Sequence, residues 1–109
     1  MEQQVTVLPD EGGVRVIVCE GEFDQDTLRP LKAAGAEAAA DPGLRRIVLD
    51  VSKIAFGDSS LLNAMLMLLR SGRLVLAGPV PGQLDRLLEI TQSRPLFTTA
   101  DSIEAARAL

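Results

Sequence analysis

The sequence predicts a single α/β domain, covering residues 1–109, built on a mixed sheet of four to five strands. Three observations support this prediction. Two strand-like segments separated by a Gly-Gly turn open the chain, which is typical of an antiparallel hairpin. Short apolar segments then alternate with helical ones, and this order requires mostly parallel strands joined by right-handed crossovers. A chain of 109 residues is also long enough for one hydrophobic core and too short for two.

The opening hairpin is predicted from the polarity pattern. Residues 3–8 alternate weakly between apolar and polar side chains, and a turn follows at residues 10–13. Residues 14–19 then alternate with the period of two that is typical of a strand. Cys19 lies at the end of this segment. Because it is the only cysteine, it cannot form an internal disulfide, and we expect a buried thiol.

The first helix is predicted after this strand. Residues 21–24 are expected to end the strand, and the side chains of Asp26 and Thr27 can cap a helix that starts there. Pro30 fits only within the first turn of such a helix, because proline lacks the N–H that later turns need. The Asp-Pro-Gly sequence at residues 41–43 ends the helix.

Strands and helices alternate through the rest of the chain. A short and almost continuous apolar segment is typical of a strand buried on both faces of a sheet. Apolar side chains spaced three and four apart indicate helices instead. The predicted order for the whole chain is β-β-α-β-α-β-α-β-α. The later elements are a strand at residues 46–51, a helix at 61–70, a strand at 73–77, a helix at 83–91, a strand at 96–99 and a helix at 103–109.

The helix predicted over residues 61–70 carries apolar side chains on every side and no charge before Arg70. A helix of this kind is normally buried or serves as an interface. Two interpretations stay open from the sequence. Neighbouring helices cover both apolar stripes, or one stripe lines a groove for a protein partner, with Met65 and Met67 as adaptable contacts.

A polar triplet, Asp58-Ser59-Ser60, lies where this helix begins. Either Asp58 or Ser59 is expected to be the N-cap. A phosphate on a serine here would change the charge by about −2 beside an apolar surface, which suits a switch. Asp24 follows an earlier strand, so it is expected near Asp58 at one edge of the sheet. A turn at this position also explains Asp24.

The residue types that the chain lacks exclude several functions. Without histidine, the chain cannot use Ser-His or Cys-His catalysis or build a histidine metal site. It contains neither a P-loop nor a G-x-G-x-x-G motif. We therefore expect that the protein is not an enzyme and that it binds no cofactor and no metal.

Charge and hydropathy restrict the partners and the location. The net charge is −4 and the basic residues are scattered, with Arg45-Arg46 the only adjacent pair, so no nucleic-acid partner is expected. The start of the chain lacks the basic and apolar regions of a secretory signal. No apolar stretch reaches the ~20 residues that a membrane-spanning helix needs. A cytoplasmic protein without membrane insertion is expected.

These motifs, in this order, resemble the STAS domain of bacterial anti-sigma factor antagonists. Residues 21–24 match the family motif Gly-Glu-[Leu/Ile/Phe]-Asp, and residues 58–62 match Asp-Ser-[Ser/Thr]-Gly-[Leu/Ile], with Leu61 at the position of the glycine. The strand at 47–51 lies between them, and a Pro-Xaa-Xaa-Xaa-Leu-Xaa-Xaa-Leu pattern follows at residues 81–88. The resemblance covers nearly the whole chain.

The resemblance implies a STAS-like fold and a phosphorylation-controlled switch. The unphosphorylated antagonist would bind an anti-sigma factor, itself a serine kinase, and so release a sigma factor; the kinase would end the interaction, and a phosphatase would restore it. By position the phosphorylated residue is Ser59, with Ser60 as the neighbouring alternative. The partner-binding residues predicted on this basis are Asp24, Asp58, Ser59, Ser60, Leu61, Leu62 and Met65.

A second function is open on the same resemblance. A STAS-like accessory subunit of a transport complex, such as one for bacterial lipid export, would bind an ATPase without being phosphorylated. Leu61 and the apolar helix that follows suit such a permanent interface as well as a reversible one. A small-ligand or nucleotide sensor is a third option, but no glycine-rich cradle supports it.

Overall fold

A computed structural model describes residues 3–109 and shows a five-stranded sheet in which the strands lie in chain order. The first two strands are antiparallel, and each later strand is parallel to the one before it. The predicted mixed sheet, its opening hairpin and the order of its elements are therefore confirmed. The elements are β1 (Gln4–Val7), β2 (Val14–Phe23), α1 (Arg29–Ala40), β3 (Arg46–Gly57), α2 (Ser59–Leu69), β4 (Leu74–Ala77), α3 (Gly82–Ile90), a 3-10 turn (Arg94–Leu96), β5 (Thr99–Ala100) and α4 (Ile103–Ala108).

The two faces of the sheet bury two separate apolar clusters. Successive side chains of a strand point to opposite faces, so in β3 Leu49 joins the larger cluster while Val48 joins the smaller one. Helices α1, α2 and α3 pack on the larger cluster, and α4 packs on the smaller cluster through Ala106. Full burial of an aliphatic side chain contributes about 1.5–3 kcal/mol. The sheet is thus held by aliphatic packing on both faces.

Strand β3 is longer than predicted, whereas β2 ends at Phe23, within the residues 21–24 that were predicted to end it. β2 continues to Phe23 and β3 continues to Gly57, past the last residues that β4 and β1 can pair. The extra residues pair with each other, with register shifts between Val18 and Glu20 and between Gly21 and Glu22. The predicted end of β3 was wrong because polar side chains on this extension face away from the core, where a strand needs no apolar residues.

Helix α1 starts later than predicted, and Asp26 and Thr27 do not cap it. The helix begins at Arg29 after an N-cap position at Leu28 that has no side-chain hydrogen bond. The polar side chains are used in a preceding turn instead. The Asp24 carboxylate accepts a hydrogen bond from the Asp26 N–H at 2.9 Å, and the Thr27 hydroxyl accepts one from the Asp24 N–H at 2.9 Å. Such local bonds compete with helix capping.

The strand predicted at residues 96–99 is replaced by a 3-10 turn followed by the two-residue β5. Pro95 favours this turn, because its fixed φ suits a tight helical turn and it cannot donate to a sheet. Phe97 follows the turn and is buried in the larger cluster. The apolar character that suggested a strand therefore comes from a single anchoring side chain.

Candidate functional site

The carboxyl ends of β2 and β3 bring the two sequence motifs together. Phe23 pairs with Gly57 in the parallel ladder, and the Asp58 N–H donates a hydrogen bond to the Phe23 carbonyl at 3.3 Å. Asp24 and Asp58 directly follow this last pair. The predicted neighbourhood of the two aspartates is therefore confirmed by the backbone, and the motifs form one site at the edge of the sheet.

Asp58 is the N-cap of α2. One oxygen of its carboxylate accepts hydrogen bonds from the Ser60 N–H at 2.9 Å and from the Leu61 N–H at 3.1 Å. These two N–H groups have no partner within a helix, and a cap of this kind contributes about 1 kcal/mol. Of the two capping residues that the sequence allowed, the structure selects Asp58. The hydroxyl of Ser59 is consequently not needed for the cap.

Ser59 and Ser60 differ in their exposure. Ser59 is the first residue of α2 and is exposed, and within residues 3–109 its hydroxyl makes no hydrogen bond. Ser60 is half-buried and turns toward a hollow between α1 and α2. The N-terminus of a helix favours negative charge, because its N–H groups point outward along the helix dipole. An exposed hydroxyl with these surroundings can accept an anionic group.

Three of the residues predicted to bind a partner lie in the core instead. Leu61 has no exposed surface, and Leu62 and Met65 are also buried in the larger cluster. The side chain of Leu61 lies over Gly57 and occupies the space that a Cβ atom there would need. Leucine at the motif's glycine position thus turns inward and does not alter the outer surface. Leu61 and Leu62 are inside the domain, so we assign them a packing role. Met65 is also a core residue but lines a groove between α1 and α2.

A glutamine that the sequence analysis did not identify holds the end of β3. The Gly57 N–H donates to the Gln83 Oε1 atom at 2.8 Å, and the Gln83 Nε2 atom donates to the Gly57 carbonyl at 2.8 Å. Gln83 lies in the first turn of α3. This pair of bonds fastens α3 to the backbone that leads directly into Asp58. No short-range pattern marks the glutamine, because its partner is 26 positions away.

An aromatic side chain is exposed close to the two serines. Phe56 is 42% exposed and pairs with Glu22 near the end of the β2–β3 ladder. Aromatic side chains are enriched among the residues that carry most of the energy at protein interfaces. The sequence analysis used Phe56 only as part of the motif. Its exposure adds an apolar contact point to the same edge as Asp24 and Ser59.

A groove separates α1 from α2. Its floor is apolar and reaches the sheet at Leu49, and its volume is about 350 Å³. Met67 stands at its rim and is 67% exposed, whereas Met65 lies on the floor and is buried. Residues of both apolar stripes of α2 are buried in the larger cluster, and Ala64, Met65 and Leu68 also line the groove, so the division into one covered and one open stripe does not hold. That a protein partner uses the groove stays a prediction.

The single cysteine is an inert part of the core. Cys19 is buried, and this burial, followed by the negative charge of Asp50, raises the pKa of the thiol to about 12. A thiol with such a pKa is not a nucleophile at neutral pH. Across residues 3–109 no group of three or more acidic or cysteine side chains could hold a metal ion. None of the helices in the described part of the chain is long and apolar enough to span a bilayer.

Three solved structures are similar to this chain over nearly its whole length. An anti-sigma factor antagonist from Mycobacterium paratuberculosis is 21% identical, with a TM-score of 0.85 over 98% of this chain and 92% of that one. The anti-sigma factor antagonist SpoIIAA in its unphosphorylated form is 19% identical, with a TM-score of 0.78 over 97% and 98%. The Bacillus cell fate determinant SpoIIAA in the phosphorylated form is 20% identical, with a TM-score of 0.73 over 96% and 98%. At these identities the likeness shows a common fold.

A comparison with curated protein sequences finds no match. A family model described as "Mlab, STAS domain" matches residues 8–93, which is well over half of the chain. The matched region contains both motifs, the whole of β2 to α3 and the groove. The chain therefore belongs to the STAS domain family.

Proposed function

We propose that this protein is an anti-sigma factor antagonist that is controlled by phosphorylation of Ser59. In the unphosphorylated form it binds an anti-sigma factor that is also a serine kinase, and so frees a sigma factor in the cytoplasm. The observation that carries the proposal is the exposed Ser59 hydroxyl, which directly follows the capping carboxylate of Asp58 at the start of α2. The likeness to SpoIIAA, known in unphosphorylated and phosphorylated forms, supports it.

Ser59 is a better phosphate acceptor than Ser60 because a kinase needs access to the hydroxyl. Ser59 is exposed, while Ser60 is half-buried. The Ser60 N–H is also bonded to Asp58, which fixes the backbone at that position. A peptide segment that enters a kinase active site must present its hydroxyl without unfolding the helix, and only the first residue of α2 meets this condition.

The partner surface consists of Asp24, Phe56, Asp58 and the two serines. A phosphate on Ser59 would add a charge of about −2 beside Asp58 and close to Asp24, and like charges repel. It would also add a strongly hydrated group to the edge of the sheet that exposes Phe56. The helix N-terminus offsets part of the added charge within the free protein. Phosphorylation should therefore weaken partner binding and leave the domain folded.

The protein acts in this proposal by binding and not by catalysis. The partner kinase supplies the phosphoryl transfer, and a phosphatase removes the phosphate. No cofactor is required, since the change of charge at one serine is sufficient to alter binding. The switch needs only a folded surface and one accessible hydroxyl.

The experiment is to incubate the protein with ATP and an anti-sigma factor serine kinase and to locate phosphate by mass spectrometry. Phosphate is expected on Ser59 in the wild type and in Ser60→Ala, and none is expected in Ser59→Ala. Kinase binding is then compared between Ser59→Asp and Ser59→Ala, and the aspartate variant is expected to bind at least about tenfold more weakly.

The two serine variants act as controls for each other. Phosphate on Ser60 alone would move the switch by one residue and contradict the assignment to Ser59. Equal binding of Ser59→Asp and Ser59→Ala would refute the switch, because added charge would then have no effect on the interface.

A second candidate is an accessory subunit of a lipid-export type transport complex that binds an ATPase without phosphorylation. The apolar α1–α2 groove with exposed Met67 favours it, since a permanent interface is more apolar than a reversible one. No phosphate on either serine, together with stable co-purification with a transporter ATPase, would decide for this function.

A further inference from the structure

The α1–α2 groove has the floor of a helix-binding site. The side of α1 that borders it is made of small residues, including Gly35, Ala36 and Ala39, so the backbone of α1 is accessible to a second chain. Ala64 faces them from α2. Amphipathic helices bind in grooves of this kind through apolar side chains repeated every three to four residues. The residues of α1 that line it run from Leu31 to Ala39, so this side of the groove is about 12 Å long, or about two helical turns.

The rim of the groove carries positive charge only. Lys32 lines the apolar part, and Lys32 and Arg70 both line its continuation toward Ser60 and Asn63. No acidic residue lines either part, although the whole chain has a net charge of −4. Neither cation forms an ion pair within residues 3–109. Their charge is therefore available to a partner of opposite sign.

We infer that the α1–α2 groove binds an amphipathic, acidic helical segment of the partner protein. The apolar side chains of that segment lie on the groove floor against Met67, and its carboxylates face Lys32 and Arg70. Methionine suits this position because its flexible and polarizable side chain adapts to the partner's shape. The inference rests on the proposed protein-binding function and names the part of the partner that is recognised.

The groove also connects the partner segment with the switch. Ser60 lines the polar end of the groove, and Ser59 precedes it in the first turn of α2. A phosphate at this end would add negative charge beside the place where the acidic segment binds. The phosphate would also attract Lys32, which lines the same part of the groove as Ser60, and so compete with the partner for that cation.

The test uses two synthetic helical peptides about 12 residues long, matched to the length of α1. They share one Leu- and Met-rich face and differ only in carrying Glu or Lys on the polar side. Titrations are followed by NMR of methyl-labelled methionine. The acidic peptide is expected to bind about tenfold more tightly than the basic one and to shift the Met67 methyl signal. In the double variant Lys32→Glu, Arg70→Glu this preference should reverse.

A pair of α1 variants provides the matched control. Ala36→Trp fills the groove and should abolish binding of the acidic peptide, whereas Ala33→Trp adds the same side chain at an exposed position outside the groove and should leave binding unchanged. Circular dichroism of both variants checks that they fold. Equal affinity for the two peptides, no shift at Met67, or binding that survives a folded Ala36→Trp would each overturn the inference.

The groove and the switch can fail separately. If the acidic peptide binds but Ser59 is never phosphorylated, the groove inference is supported and the antagonist function is refuted. If the kinase phosphorylates Ser59 and binds the Ala36→Trp variant with the same affinity as the wild type, the antagonist function is supported and the groove inference is refuted.

Discussion

The two edges of the sheet differ in how completely their polar side chains are bonded to the backbone. Where the parallel strands begin, the guanidinium groups of Arg45, Arg46 and Arg73 donate to backbone carbonyls. Where the strands end, the Ser59 hydroxyl makes no hydrogen bond within the described residues, and Phe56 is exposed. Buried or half-buried backbone carbonyls must be paired, so the arginines complete the fold. A polar group that the backbone does not use is the better candidate for function.

Arg73 shows most clearly how side chains stabilise the edge where the parallel strands begin. It lies just before β4, and its guanidinium donates to the carbonyls of Ala39 and Asp41 at 2.8 and 2.9 Å and to that of Leu44 at 2.8 Å. The last carbonyls of a helix have no partner within the helix. Arg73 thus binds the end of α1 and the loop after it, and its positive charge also suits the negative end of the helix dipole.

The largest expected effect is on Arg73. Arg73→Ala should lower the free energy of unfolding by about 3 kcal/mol, because the part-buried bonds to the Asp41 and Leu44 carbonyls and the exposed bond to the Ala39 carbonyl lose their charged donor. Urea denaturation followed by circular dichroism measures this change. Arg86→Ala removes an exposed arginine of α3 and should change it by no more than about 0.5 kcal/mol. Phosphorylation of Ser59 in folded Arg73→Ala should proceed as in the wild type. If Arg73→Ala lowers the free energy of unfolding by less than about 1 kcal/mol, the arginine contacts do not distinguish this edge of the sheet from the opposite one.

A substitution at Gly57 should have the next largest effect on stability. It tests how closely the edge that carries Ser59 is packed. A Cβ atom here would overlap the buried side chain of Leu61, while the φ of Gly57 is not in the left-handed region. Gly57→Ala should therefore cost about 2 kcal/mol through overpacking alone. In a Leu61→Ala background the same substitution should cost almost nothing, because the overlapping atoms are gone. Denaturation of the four proteins of this double-mutant cycle gives the coupling. Equal costs in both backgrounds would contradict the packing account.

The order of the elements could be predicted from the sequence because each one has a strong local pattern. Period-two alternation marked the hairpin, and the apolar strand over residues 46–51 stands out against polar neighbours. The end of β3 was missed because its residues up to Gly57 are held by pairing with β2. That pairing depends on two segments that are distant in sequence, so no local pattern records it.

The site could be predicted only in part, for the same reason. Asp58 and Ser59 were identified because capping and helix start are local properties of the chain. The inward turn of Leu61 was missed, because its burial depends on the space above Gly57. Gln83 was missed because its hydrogen bonds to Gly57 join residues that are 26 positions apart in the sequence. Local sequence patterns thus identified Asp58 and Ser59, whereas the residues that hold them in place depend on contacts between distant segments.

A substitution at Gln83 should have the smallest effect on stability and a clear local effect at the edge that carries Ser59. Gln83→Ala removes two hydrogen bonds to Gly57 from an exposed side chain, so the free energy of unfolding should fall by only about 0.5–1 kcal/mol. The Gly57 N–H loses its acceptor, and hydrogen exchange measured by NMR should become faster there while amides in the centre of β3 keep their protection. Gln25→Ala, in the exposed turn before α1, serves as the control and should leave exchange at Gly57 unchanged. Faster exchange throughout β3 would mean that Gln83 stabilises the whole sheet; unchanged exchange at Gly57 would mean that it does not hold the site at all. A selective change at Gly57 would establish that this edge keeps its binding surface in place with few and weak contacts, unlike the arginine-bound edge opposite.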